Sequence, residues 1–147
     1  MGDSLTGLLD KLTKDFADTN FRLLYVYPET ISDGLIQCIA SHKNIVKYID
    51  MPIQHCNENI LTSMGRKTNT DKIKGLVKKL RKEIPDVVLR TTVMCGYPGE
   101  TEDAHDELCE FLQDVAFDYV GCFEYSAEEG TRAAKMEGQV ESSVKYS

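Results

Sequence analysis

Gly96-Tyr97-Pro98-Gly99-Glu100-Thr101 is the stretch whose residue types and spacing come nearest to chemistry. Gly96 and Gly99 can take left-handed backbone and turn N–H groups toward a ligand, although a tight strand-to-helix turn needs the same glycines. No Gly-Lys-Ser/Thr follows, so the stretch is not a phosphate loop. Glu100 has the position of a general base, of a ligand for a cationic group, or of a solvated residue ahead of a helix. His55 follows Pro52 and Gln54 in a loop and has no triad partner in view, while His42 and His105 fall in helical patterns and read as surface residues. The five cysteines are scattered, with no CxxC, no CxxxCxxC and no Cys/His pair at zinc spacing, so no metal ligands are expected. Cys38, Cys109 and Cys122 read as small buried or half-buried side chains, and Cys56 and Cys95 as structural thiols near the ligand edge. Tyr125-Ser126 offers a hydroxyl without an identifiable base. No catalytic residue is assigned.

The elements around these residues follow from periodicity. Val87 to Cys95 is apolar and β-branched, the composition of a strand buried on both faces, and it runs into the glycine turn. Thr101 then caps a helix with Glu102 and Asp103 in its first turn and Leu108, Phe111, Leu112 and Val115 on its apolar face. Leu5, Leu8, Leu9, Leu12 and Phe16 mark a helix from Ser4 to Phe16. Phe21–Tyr27 reads as the first strand, stopped by Pro28, and Lys47–Met51 as the second, stopped by Pro52. Helices follow at Ile31 to Ile39, at Glu58 to Met64 with Gly65 as C-cap, and from Thr70 as cap to Pro85. Tyr119–Tyr125 is the last strand, after which the chain turns polar and is expected to fray.

Strands separated by helices are parallel and joined by right-handed crossovers. Two architectures satisfy this pattern: an open doubly wound sheet, or an arc of a βα barrel. Both bring the turns after Tyr27, Met51, Cys95 and Tyr125 to one edge, the usual place for a ligand. Gln54, His55, Glu100, Ser126, Glu128 and Glu129 gather there. The 147 residues suffice for a domain with a real core, and the hydrophobic fraction of 41% is ordinary for a soluble protein. The net charge of −7 weighs against a nucleic-acid-coating surface. No apolar run is long enough for a bilayer, no signal peptide opens the chain, and the odd cysteine number fits reduced thiols in the cytoplasm.

An ordered set of segments carries a resemblance. Asp50-Met51-Pro52-Ile53-Gln54-His55 is followed by Met64-Gly65-Arg66, by Leu89-Arg90-Thr91-Thr92 with Gly96 to Thr101, and by Gly121 to Ala133. Gln139-Val140 and Val144-Lys145 extend the set, which covers nearly the whole chain from Phe21 onward. In order and spacing it resembles the radical S-adenosylmethionine (radical SAM) methylthiotransferases, and Pro-Ile-Gln-His resembles the branch that modifies a ribosomal protein (RimO type). The branch that modifies transfer RNA usually reads Gln-Ser-Gly at that place. The resemblance implies an α/β fold, a partial (β/α) barrel of radical SAM type with about four parallel strands. It also implies a family that binds SAM on a four-iron–four-sulfur cluster and cleaves it reductively to a 5′-deoxyadenosyl radical. The implied product is a methylthiolated aspartate on a small-subunit ribosomal protein. By the same resemblance Met94, Gly96, Gly99 and Glu100 match the strand and turn facing adenine and ribose. Phe123 lies on the strand that flanks the adenine, Gln54 matches a polar residue above the barrel, and Arg66 meets an anionic group, where its planar fork suits a carboxylate; connectivity and the family match together place Ser126 on the same rim.

The chain departs from the family in lacking the CxxxCxxC that holds the cluster. The expectation is therefore a piece of the enzyme (a cloned segment, a truncated reading frame or one half of a split gene) without the family's N-terminal and C-terminal domains and inactive alone. Its expected divisions are an N-terminal helix and linker over 1–20, the partial barrel over 21–133 and a polar tail over 134–147. An arc of barrel leaves sheet edges open, so self-association is expected, with Leu23, Tyr25, Leu89, Thr91, Val93 and Phe123 as the inward side chains. The alternatives are a piece of a transfer-RNA methylthiotransferase and a non-catalytic module that binds a nucleotide-like ligand or a protein.

Overall fold

A computed structural model describes residues 4–145. Its strands are β1 (Phe21–Leu23), β2 (Ile45–Asp50), β3 (Val88–Cys95) and β4 (Tyr119–Glu124), in one parallel sheet of order β1-β2-β3-β4. The order never reverses. A doubly wound sheet places its strands on both sides of the first, so the sequential order selects the barrel arc.

The helices are α1 (Leu5–Asp15), α2 (Asp33–Ser41), α3 (Glu58–Ser63), α4 (Thr70–Glu83), α5 (Glu102–Val115) and α6 (Ser142–Lys145). The starts of α1, α2, α3 and α5 are set by side-chain caps: Ser4 accepts from Gly7 N, Ser32 from Leu35 N, Asn57 from Ile60 N and Thr101 from Ala104 N. Asn69, not Thr70, caps α4. The Thr70 hydroxyl instead donates to the Cys56 carbonyl at 2.8 Å, tying α4 to the loop before it. Gly65 closes α3 as expected. Its φ of +75° lets Arg66 N reach the Leu61 carbonyl at 2.8 Å, and this turn throws Arg66 back over the sheet edge.

The main core lies between the sheet and one layer of helices. Ile45, Ile49, Leu89 and Val93 meet Leu35, Ile36 and Ile39 of α2, Ile73, Val77 and Leu80 of α4, and Leu108 and Phe111 of α5. Burial along β3 alternates: Leu89, Thr91 and Val93 are buried against helices, and Arg90, Thr92 and Met94 face the other way. This corrects the inward set. Leu23, Leu89 and Val93 belong to the helix-side core, and the concave face carries Tyr48, Asp50, Arg90, Thr92, Met94, Tyr119 and Phe123. An apolar run satisfies either face, so composition could not tell which residues of the alternation the crossover helices would cover.

β1 is shorter than the expected Phe21–Tyr27. Its register slips between Phe21 and Leu23, and Tyr25 turns left-handed at φ +57°. Tyr25 N donates to the Asp50 carboxylate at 3.3 Å, and Val26 N to the Asp50 carbonyl at 2.9 Å. Asp50 thus replaces the ladder at the end of β1. The described residues after Tyr125, expected to fray, are tied back onto the sheet edge. Ala133 and Met136 pack on Tyr97 and Tyr125, Gly99 N donates to the Gly138 carbonyl at 2.9 Å, and Lys145 Nζ donates to the Tyr125 carbonyl at 2.7 Å. Among the described residues no helix is long and apolar enough to cross a membrane.

Candidate functional site

The carboxyl ends of three adjacent strands share one backbone feature. Tyr25 after β1, Gln54 after β2 and Gly96 after β3 all have positive φ, at 57°, 72° and 73°. Glycine accepts this conformation freely, whereas Tyr25 and Gln54 adopt it at an energetic cost that their surroundings must offset. For Gln54 the offset is visible. Its N–H donates to the Thr92 carbonyl at 2.9 Å and its carbonyl accepts from Met94 N at 2.8 Å, which extends β2 beyond Pro52 by one bridge. Gln54 is thereby locked in register with Val93 at the edge.

The Gly96–Gly99 turn is held from within by Glu100. Its carboxylate accepts from the backbone N–H groups of Gly96 and Tyr97, the latter at 3.1 Å. The other oxygen lies 3.5 Å from His55 Nε2 and 3.3 Å from His105 Nδ1. The Glu100 side chain is only 4% exposed and that of His55 is fully buried. His55 Nδ1 accepts from Asn57 N at 2.9 Å, so the neutral ring carries its proton on Nε2, aimed at Glu100. Burial by itself pushes the Glu100 carboxyl upward. His55, His105 and the Gly96 N–H outweigh that and hold it below the ordinary carboxylate range. Glu100 is therefore neither solvated nor free to act as a base toward the concave face. It points to the helix side of β3, and its partner His55 was missed because a loop histidine and a carboxylate 45 positions later show no sequence link.

The other expected site residues divide between the faces. Met94 and Phe123 are register partners on the concave face, where Phe123 is 59% exposed. A second apolar cluster rises above Met94, built by Ile60, Tyr97 and Tyr125 with Met64, Ala133 and Met136 around them. The Tyr97 and Tyr125 rings meet edge to face at 5.4 Å between centroids. Arg66 reaches this edge from the turn after α3. It lies over the Tyr27 ring at 4.5 Å, Nη2 donates to the Pro52 carbonyl at 3.3 Å, and Nη1 is buried without a hydrogen-bond partner. Ser126 is exposed beyond β4, and Gly99 sits at the crest of the turn against the returning tail. The structure thus brings Met94 and Phe123 together on one face and holds Gln54 in register with Val93 at the same edge, while Glu100 is turned away behind the sheet.

One charged pair on the concave face was not anticipated. Arg90 Nη1 donates to Asp50 Oδ1 at 2.7 Å and to Thr92 Oγ1 at 3.1 Å, and the Asp50 side chain is 3% exposed. The bond to Asp50 holds the Arg90 guanidinium charge more firmly than usual. The signal was present in the sequence, because an arginine inside a buried-strand run requires a partner.

The thiols also differ from expectation. Cys38 and Cys56 are buried, Cys95 is half-buried, and Cys109 and Cys122 are exposed. Burial pushes the Cys56 thiol up to about 12. Cys95 and Cys122, on neighbouring strands, have their sulfurs 3.3 Å apart.

Known proteins share this sequence and this geometry. Residues 4–112 match the family model of the radical SAM superfamily. The chain is 46% identical over 138 residues to the ribosomal protein uS12 methylthiotransferase RimO of Clostridium botulinum (strain Eklund 17B), covering 94% of the chain and 31% of that protein. It is 49% identical over 124 residues to the RimO of Lachnoclostridium phytofermentans, covering 84% of the chain and 28% of the relative. The chain thus spans about a third of the length of the curated relatives it matches. Among solved structures, the radical SAM enzyme coproporphyrinogen III oxidase (HemN) of Escherichia coli superposes with a TM-score of 0.77 at 17% identity, over 97% of this chain and 33% of that one. The radical SAM methyltransferase TsrM of Kitasatospora setae gives 0.66 at 14% identity, over 81% and 24%. The sequential parallel arc and the family match over residues 4–112 lead to one conclusion: the chain belongs to the radical SAM superfamily.

Proposed function

We propose that this chain forms the later part of the SAM-binding barrel of a ribosomal protein uS12 methylthiotransferase of the RimO kind. The observation that carries the reading is the 46% identity across 94% of the chain to a protein of that name. It is supported by what the concave edge can hold. The exposed ring of Phe123 beside Met94 offers a flat apolar surface for a purine. Gln54, held at the same edge by its bridge to Val93, supplies an amide for polar edges. Gly96 and Gly99 bring backbone close to a ligand, and Ser126 adds a hydroxyl at the rim. The unpartnered buried Nη1 of Arg66 suits a carboxylate, such as that of the methionine moiety. In this reading Glu100 supports the turn and does not itself meet SAM.

These residues fit SAM but not the iron–sulfur cluster. The sequence carries no CxxxCxxC, so this chain's part in the reaction includes no step at a cluster of its own. SAM, when bound, would supply the reactive adenosyl group, and Gln54, Arg66, Met94, Gly96, Gly99, Phe123 and Ser126 bind and orient it. The domain division of helix and linker over 1–20, barrel over 21–133 and tail over 134–147 belongs to the same proposal.

The test splices this chain into the Clostridium botulinum relative in place of the matching segment and measures methylthiolation of uS12 by mass spectrometry. The expected result is retained modification, with Phe123→Ala raising the KM for SAM about tenfold, the equivalent of one lost stacking contact. A spliced enzyme that folds and holds its cluster but leaves uS12 unmodified would overturn the reading.

A further inference from the structure

Where α1 packs on α2, three kinds of donor meet that the sequence keeps apart. Cys38 lies on α2 and His42 is its C-cap, four positions on, so the two side chains share a face. The pair has no third ligand in view until Asp10 reaches it from α1. Asp10 Oδ1 lies 3.4 Å from the Cys38 sulfur and 3.4 Å from His42 Nε2, and the sulfur lies 3.7 Å from His42 Nδ1. One donor atom from each of the three residues lies within 4.8 Å of the other two. Cys38 is buried, whereas the His42 and Asp10 side chains are 24% and 45% exposed, so the group opens to solvent on one side.

We propose that Asp10, Cys38 and His42 form a binding site for one divalent transition cation of the zinc class, with water in the fourth position. Zinc bound tetrahedrally at ~2.3 Å to sulfur and ~2.0 Å to oxygen or nitrogen keeps such ligands roughly 3.3–3.5 Å apart. Both 3.4 Å spacings from Asp10 fall in that range. The imidazole is also oriented for the purpose. His42 Nδ1 lies 2.9 Å from the Cys38 carbonyl and 3.3 Å from Ser41 Oγ. A carbonyl only accepts, so the proton of the neutral ring sits on Nδ1 and the lone pair on Nε2. That lone pair faces a carboxylate oxygen, and two acceptors repel unless a proton or a metal ion lies between them. A ligating histidine whose other nitrogen donates to a backbone carbonyl is a common support of metal sites. The sulfur selects the ion, since calcium and magnesium take oxygen ligands whereas thiolate and imidazole suit zinc.

The thiol separates the two ways of filling that gap. Burial and the Asp10 carboxylate push Cys38 up to about 11, with Lys47 pulling the other way, so beside a protonated His42 the sulfur keeps its hydrogen. A cation held between sulfur and carboxylate takes the thiolate instead, and the thiol proton goes to water. The site joins α1 to α2, uses none of the residues proposed for SAM and does not depend on SAM. Among the described residues Cys95, Glu100 and His105 form the other donor group. Its carboxylate is already engaged, because Glu100 accepts from the Gly96 and Tyr97 N–H groups and faces His55.

The test titrates the reduced, chelator-stripped protein with Co²⁺ under argon, reading the sulfur-to-cobalt charge-transfer band, then displaces cobalt with Zn²⁺. The expected result is one equivalent bound, with Asp10→Asn, Cys38→Ala and His42→Gln each weakening affinity about tenfold or more and His105→Gln, in the other donor group, leaving it unchanged. Zn²⁺ should raise the thermal midpoint of the parent but not of His42→Gln, since an ion that binds only the folded chain stabilises it. Asp10→Asn and His42→Gln change solvent-facing groups, so they decide the question even where Cys38→Ala fails to fold. A parent protein that shows no charge-transfer band, or an Asp10→Asn/His42→Gln double variant that binds as tightly as the parent, would overturn the proposal and leave an ion pair between Asp10 and protonated His42.

Discussion

Replacing Glu100 tests how the edge of the sheet is held. The carboxylate is almost wholly buried and receives the N–H groups of Gly96 and Tyr97 on one oxygen while the other faces His55 and His105. Glu100→Ala leaves the buried N–H groups of Gly96 and Tyr97 without their acceptor and removes the carboxylate that faces His55. A charge-assisted hydrogen bond contributes about 1.5–3 kcal/mol, and a stranded buried donor costs about 1–3 kcal/mol. Because both N–H groups share one oxygen, their contributions do not add, and the expected loss is about 3 kcal/mol. Glu100→Gln keeps an acceptor for the turn but loses the charge and sets an NH₂ group against the imidazoles, so its loss is about half as large. Urea unfolding at neutral pH reads both, with Glu102→Gln in the exposed first turn of α5 as control.

The pH dependence supplies an independent check. The Glu100 carboxyl in the folded protein lies below its ordinary value of about 4.3. Between the two values the unfolded chain binds more protons than the folded one, so stability rises with pH there. The contribution is fully present above the unfolded value and is lost as pH falls through the folded one. Glu100→Gln should therefore flatten the stability profile on the acid side of that range and leave its shape unchanged above it. A Glu100→Ala protein within about 0.5 kcal/mol of the parent, as for an ordinary surface change, would refute the reasoning.

Leu89, fully buried at the centre of the sheet, should cost about 2–5 kcal/mol on Leu89→Ala, whereas Phe123→Ala on the concave face should alter stability by no more than about 0.5 kcal/mol; urea midpoints separate the two. Tyr25, Tyr27, Tyr119, Val120 and Phe123 expose apolar surface on β4 and around the end of β1, the two outer strands, so the chain should self-associate, and concentration-independent sedimentation as a monomer would contradict this. Helix α1 packs on α2 and sends Leu9 into the helix-side core, so it does not remove that surface. After anaerobic treatment with iron, sulfide and reductant, the isolated chain should release no 5′-deoxyadenosine from SAM, because its sequence lacks the CxxxCxxC; deoxyadenosine above background, measured by chromatography, would contradict this.

The sequence by itself determined most of the secondary structure and its parallel connectivity. An apolar β-branched run such as Val87 to Cys95, and helices opened by Ser4, Ser32 and Thr101, are local signals that each segment carries alone. Parallel pairing then follows from connectivity, since a strand that returns through a helix re-enters from the same end. The ordered motifs from Asp50 to Ala133 reach the family in the same way, because they are short strings tied to strand ends. What only the tertiary structure decided are the relations between such strings. Period-two burial says that Leu89, Thr91 and Val93 share a face but not which face the helices cover. Asp50 ends β1 by capturing Tyr25 N, an event set by the neighbouring strand. Glu100 and His55 become partners, and Cys95 and Cys122 become neighbours, because the close lateral spacing of parallel strands, about 4.7–4.9 Å, brings residues dozens of positions apart within reach. Spacing along the chain carries no record of such contacts, since they depend on register and on which way each side chain leaves the sheet.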